Sequence, residues 1–158
     1  MIIGHLPISY LAAVAMHSRT QGRFPVWVGC VAGVVPDVDM IWFYLVDSST
    51  HHHQLVTHWP VSWVGVAMLL MILFQRYTFV VVAALGFVFL HLLLDTIAGA
   101  IPWLAPFDMT PSTWVVVPAR YSWWVANFIF HWTFLLELVL TISAVTIWIR
   151  RAGVPINR

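Results

Sequence analysis

Two short stretches carry the residues best suited to chemistry. Asp37 and Asp39 sit in GVVPDVD, His91 and Asp95 sit in HLLLD, and both stretches interrupt apolar runs. The chain has six Asp and Glu residues in 158, and three of them lie here. A carboxylate at membrane depth costs ~2.5–3.5 kcal/mol on insertion scales, so such groups are usually paired, metal-bound or functional. A third stretch, HHHQLVTH at 51–58, adds His51, His52, His53 and His58. Carboxylates gathered with imidazoles point first to zinc or another divalent first-row metal.

Spacing constrains how these residues can meet. Asp37 and Asp39 are two apart, and on a regular helix they would face directions about 200° apart. Pro36 removes a backbone donor and Gly33 permits unusual dihedrals, so a helix broken at GVVPDVD can turn both toward one cavity. The alternative is a simple kink with one Asp capping the outer half-helix. His91 and Asp95 are four apart and share one helix face. They can supply two ligands, a ligand with its orienting partner, or a pair that ties helices together. His53 and His58 would diverge by about 140° on a continuous helix. Pro60 suits the first turn of a helix, so a loop-to-helix junction can bring them together, with Thr57 as a cap or as an orienter of His58. His51 and His52 are weaker candidates: a run of three histidines can bind metal adventitiously, and solvation of two of the three is the alternative. His5 opens the first apolar run as a ligand or as an interfacial histidine bonded to backbone. His131 lies between Phe130 and Trp132 and reads as part of an aromatic belt. Asp47 reads as solvated, and Asp108, in PWLAPFD, is a loop residue within reach of the centre. Glu137 lies inside an apolar run and needs a partner.

The candidate metal ligands are therefore His5, Asp37, Asp39, His53, His58, His91 and Asp95, with Asp37, Asp39 and His91 as catalytic candidates. Three carboxylates and at least three imidazoles exceed the needs of one tetrahedral ion, so two ions sharing a bridging Asp fit the count.

The elements that carry these residues read as membrane helices. The chain is 61% hydrophobic and 8% charged, with a mean hydropathy of +0.90. Soluble domains carry about 25% charged residues. We expect one domain over 1–158, an all-α polytopic bundle of about five spans. These are 3–18, 25–46, 60–74, 78–98 and 128–149, the first and third short and the second broken at the Pro-Asp motif. Crossing ~30 Å of hydrocarbon takes about 20 apolar residues. The loop 99–127 is rich in Pro and Trp and suits the interface. MIIGHLPISYLAAVAMHSR lacks a basic n-region and reads as a retained first helix. Cys30 is the only cysteine, which excludes an intrachain disulfide, and a net charge of +1 gives no sign of nucleic-acid binding. The bilayer is the expected partner; oligomeric state is open.

All seven basic residues are arginine. Arg19, Arg23, Arg76, Arg150, Arg151 and Arg158 fall on one side of a five-span bundle and Arg120 alone on the other. The positive-inside rule makes the first side cytoplasmic, with the N-terminus outside and the C-terminus inside. Seven of the eight histidines then share the outer side with the carboxylates, and His17 alone lies at the cytoplasmic end.

The order HLPISYL at 5–11, PDVD at 36–39, HHQLVTH at 52–58, HLLLD at 91–95 and PWLAPF at 102–107 resembles the YdjM-like inner-membrane proteins, described as membrane-bound, metal-dependent hydrolases. The resemblance runs to about residue 110. The family's H-R-G-x-T-H-S is here His53 to Trp59, with Gln54 and Trp59 at the Arg and Ser positions. The His and Asp set is also loosely similar to that of zinc-dependent phospholipases C. The resemblance implies an inner-membrane hydrolase that activates water with a divalent metal, zinc in the first instance. An outer-facing centre suggests a lipid or lipid-linked substrate, most readily a phosphoester. The rival readings are a metal-ion or proton transporter and a structural or regulatory protein whose metal ties helices together. One-sided enrichment of polar residues argues against a conduction path.

Overall fold

A computed structural model describes residues 3–47 and 49–153. Among the described residues seven α-helices follow in order: α1 (His5–Arg19), α2 (Val26–Ala32), α3 (Asp39–Leu45), α4 (Pro60–Leu73), α5 (Thr78–Ala98), α6 (Trp124–Ile129) and α7 (Trp132–Ala152). Among the described residues there is no strand, only an isolated bridge between Ile101 and Ser112. Arg158 lies outside the described residues.

The all-helical reading holds, but five spans do not follow from it. Two helices are long and apolar enough to cross a membrane alone: α5 with its preceding turn, Gln75–Ala98, at 24 residues, and α7 at 21. A third crossing is available if α2 and the bent segment Val35–Leu45 act as one span. The remaining helices are too short. With 15 residues in α1 and 14 in α4, each reaches only ~21–23 Å, against ~30 Å of hydrocarbon. α1 stops in a turn at Gln21 and Gly22, both with positive φ. The last predicted span also starts later. Its helix begins at Trp132, because His131 caps it by accepting from the Thr133 amide.

The break in the second segment lies at the Pro-Asp motif. A 3-10 turn, Val35–Val38, separates α2 from α3, and the two segments are bent by 51°.

Packing is polar within and apolar without, as a bilayer requires. Val61, Met68, Leu69 and Ile72 of α4 and Leu135, Val139, Ile142 and Trp148 of α7 are exposed. Buried polar residues include Ser9, Asp39, His58, His91, Asp95 and Glu137. The apolar core is small. It joins Ala13, Phe24, Ala32, Phe87 and Val88, with the Phe24 and Phe87 rings stacked at 5.3 Å. Small residues let α1 and α2 approach closely, as in small-xxx-small helix pairs. A Cβ on Gly29 would stand 2.7 Å from the Ala13 Cβ, and one on Gly33 would stand 1.9 Å from Ser9 Oγ.

Helix directions sort the chemistry to one end. α1 and α7 begin there, since Glu137 Oε2 accepts the amide hydrogens of Ile3 and Gly4 at 2.7 and 2.9 Å. This is the partner Glu137 required: its carboxylate satisfies free amides at the start of α1, where negative charge is favoured. α5 ends at the same place and α4 begins there. Arg19, Arg23, Arg76, Arg150 and Arg151 stand at the opposite helix ends, with Arg23 over the Phe79 ring at the start of α5.

Candidate metal centre

Local backbone explains why Asp37 and Asp39 can both face one centre. The 3-10 turn tightens the chain between them, and Asp39 already belongs to the first turn of α3. Two further 3-10 turns, His52–Gln54 and Val56–His58, are separated by extended Leu55. They turn His53 and His58 inward. Trp63 of α4 clamps the second turn by donating its indole N–H to the Thr57 carbonyl at 2.6 Å. Gly99 makes room for the first turn, since a Cβ there would stand 2.6 Å from the His53 ring.

Four ligand atoms then converge. His58 Nε2 and His91 Nε2 lie 3.7 and 3.6 Å from Asp37 Oδ1. The same two nitrogens lie 3.6 and 3.0 Å from Asp95 Oδ2. A tetrahedral ion with ligand bonds of ~2.0–2.1 Å has ligand–ligand edges of about 3.3 Å. The observed edges bracket that value. Both His58 Nε2 and His91 Nε2 are buried and make no hydrogen bond among the described residues. Buried nitrogens are rarely left so, and a metal ion satisfies them. The donor set therefore fits a divalent first-row metal.

Neighbouring groups fix the ring orientations. His91 Nδ1–H donates to the Gly33 carbonyl at 3.0 Å, and His58 Nδ1–H donates to Asp39 Oδ2 at 2.8 Å. Each bond places the proton on Nδ1 and leaves Nε2 able to ligate. Thr57 Oγ1 also donates to Asp39 Oδ2. His5 Nε2–H donates to Asp95 Oδ1 at 2.9 Å, and the His5 ring stacks on His91 at 3.9 Å. His5 thus meets the centre through Asp95.

Among the described residues two other groups could hold an ion. One is Asp37, Asp39, His52 and His58; the other is His51, His52 and His53. In the first, Asp39 Oδ1 and His52 Nδ1 stand 3.6 Å apart. His52, a weaker candidate from sequence, is thereby part of the cluster. Only tertiary contact with Asp39 distinguishes it from His51. His53 Nε2 lies 3.6 Å from Asp95 Oδ2.

Electrostatics differ between the two inward-turned histidines. Burial alone would lower the pKa of His58, but the hydrogen bond to Asp39 and the charges of Asp39 and Asp95 outweigh it and raise it to about 9. His53 goes the other way, because burial outweighs the Asp95 charge and keeps the ring neutral.

The other candidates sit apart from the centre. Asp47 and Asp108 are exposed and accept from the amides of Ser49 and Thr110 in local turns. His131 Nδ1 accepts from the Thr133 amide. At the far end of α1, His17 Nδ1–H donates to the Phe24 carbonyl. Exposure singles out Asp37, whose side chain is 28% exposed, against 4% for Asp39, 2% for Asp95 and 0% for both histidines. The centre opens at Asp37.

Fold and site together define an all-helical membrane protein with a His/Asp cluster able to hold a metal ion. A family model described as YdjM inner membrane protein matches residues 1–154, and the chain belongs to that family. No curated protein and no solved structure matches it.

Proposed function

We propose that the protein is a metal-dependent hydrolase acting on a lipid or lipid-linked substrate, most readily a phosphoester, at the outer face of the inner membrane. The observation that carries this reading is the convergence of Asp37 Oδ1, His58 Nε2, His91 Nε2 and Asp95 Oδ2, with nitrogen–oxygen separations of 3.0–3.7 Å, at a centre whose exposed ligand is Asp37. Zinc suits this donor set. A bound divalent ion supplies Lewis acidity and lowers the pKa of water toward ~7. The chain's own residues do the rest. Asp37, His58, His91 and Asp95 hold the ion. Asp39 and the Gly33 carbonyl engage Nδ1 of His58 and His91 and so aim each Nε2 at the ion, and His5 steadies Asp95. Asp37, as the exposed carboxylate, can accept a proton from attacking water. Asp39 Oδ1 and His52 could add a second ion sharing Asp37.

Arginines at one end and the centre at the other support an outer-facing site under the positive-inside rule. Reading the protein as a transporter would require polar groups through the whole bundle, and the far end offers His17.

The test is elemental analysis of detergent-purified protein, with hydrolysis of phospholipids and polyprenyl phosphates in micelles. At least one divalent ion per chain is expected, with turnover that chelation abolishes. Metal flux in proteoliposomes without cleavage of any lipid would overturn the hydrolase reading.

A further inference from the structure

A cavity of about 260 Å³ lies at the start of α7, lined by Pro118, Arg120, Tyr121, Phe130, His131 and Trp132. Its wall is held in place. Asn127 Oδ1 accepts from the amides of Arg120 and Tyr121, each at 2.8 Å, and Asn127 Nδ2 donates to the Tyr121 carbonyl at 3.0 Å.

The cavity offers donors. Among the described residues no carboxylate lies within 4.0 Å of the Arg120 guanidinium, and it is the one arginine at this end. His131 Nδ1 meets the Thr133 amide and lies 2.9 Å from Thr133 Oγ1, which leaves Nε2 as the ring nitrogen that Thr133 does not engage. Two donors and no acidic neighbour select an anion, and a guanidinium matches a phosphate in a bidentate way. The rim selects a lipid over a free ion. Tyr121, Phe130 and Trp132 line it and are exposed, and such aromatics favour the head-group level.

The cavity is also near the centre. Trp114 and Val115 donate their amides to the Thr96 and Ile97 carbonyls, directly after Asp95. Pro118 is three residues on, a chain reach of at most about 11 Å.

We propose that this cavity binds the phosphate of an anionic lipid through Arg120 and His131, as a lipid-recognition subsite beside the metal centre. The substrate-recognition role rests on the hydrolase reading, whereas the binding does not.

The experiment uses the full chain in non-ionic detergent. Dihexanoyl phosphatidylglycerol and dihexanoylglycerol are titrated against intrinsic tryptophan fluorescence, with and without chelator. Wild type should prefer the phosphate-bearing lipid with or without metal. Arg120→Gln should lose about tenfold in affinity for it, the size of one charge-assisted hydrogen bond, and Arg120→Lys should lose less. Unchanged affinity in Arg120→Gln overturns the proposal, as does loss of binding on chelation. Inorganic phosphate binding as tightly as the lipid would reassign the cavity to a free anion and overturn the lipid assignment. If Arg120→Gln fails to fold, the wild-type preference decides, and no preference for the phosphate overturns it. Arg120-dependent binding without lipid hydrolysis would sink the hydrolase reading and leave the lipid site. Hydrolysis indifferent to Arg120 would leave the hydrolase reading and overturn the substrate-recognition role of the cavity.

Discussion

Gly33→Ala tests the link between helix packing and the centre. The φ of Gly33 is −79°, which alanine adopts without strain. Any effect is therefore steric. A Cβ at Gly33 would lie 1.9 Å from Ser9 Oγ and 2.6 Å from Ser9 Cβ, where ordinary contact begins at 3.4 Å. Turning the serine hydroxyl away cannot cure the clash with its Cβ, so α1 and α2 must part. The Gly33 carbonyl holds His91 Nδ1–H at 3.0 Å. A retreat of ~1 Å takes that bond out of range and frees His91 to adopt the other tautomer. Overpacking of this kind costs ~1–3 kcal/mol, and losing an outer partner of a metal-bound histidine costs about 10–100-fold in metal affinity. Zinc titration and thermal unfolding in detergent read the two effects. Ser9→Gly in the same chain should restore both, whereas Ser9→Ala should not, because its Cβ remains. Gly65→Ala and Gly86→Ala serve as controls: nothing lies within 4 Å of either added Cβ, so both should bind zinc normally and gain ~0.5–1 kcal/mol in helix stability. Wild-type zinc affinity in Gly33→Ala would refute the reasoning.

Three further outcomes are expected. Asp39→Ala should weaken zinc binding about 10–100-fold by releasing His58 and His91→Ala should weaken it more, while His17→Ala, at the far end of α1, should leave it unchanged in the same titration. The metal-free protein should be stabilised by protonated His58: its folded pKa of about 9 lies above its ordinary 6.5, so the contribution is full below 6.5 and lost as pH rises through about 9. Melting curves across that window should fall for the metal-free protein and not for the zinc-loaded one, and a rise in the metal-free curve would contradict the pairing. Reporter fusions near residue 50 and at the C-terminus should report outside and inside respectively, and a cytoplasmic signal near residue 50 would overturn the outer-face assignment.

Which residues gather into the His/Asp cluster was largely legible in the sequence. Asp37, Asp39, His58, His91 and Asp95 stand out because ionisable groups in an apolar chain are costly, and the broken helix follows from the two-residue spacing beside Pro36. Helix count was less readable. Hydropathy marks α1 and α4 as apolar but does not report that they end after 15 and 14 residues, which turns and caps decide. The Glu137 partner lay at the other end of the chain, in the backbone amides of Ile3 and Gly4, where no side-chain pattern points. The Gly29 and Gly33 spacing was a signal available in the sequence for the α1–α2 contact, since paired small residues four apart mark close helix approach.

Division of labour within the cluster is the deeper matter. Spacing on a helix gives only the direction of a side chain, and direction alone makes Asp37 and Asp39 equivalent candidates. What separates them is the far partner. Asp39 Oδ2 accepts from both His58 and Thr57, so that oxygen is committed to holding a ring. Asp37 Oδ1 faces the two free Nε2 atoms and keeps an open side. The same logic turns His5 from a ligand candidate into a support for Asp95. In each case a carboxylate or carbonyl that arrives from a different helix decides which nitrogen carries a proton. Ligand and support are therefore distinguished by tertiary geometry, and a substitution that shifts a helix without touching a ligand should disturb the centre as Gly33→Ala is expected to do.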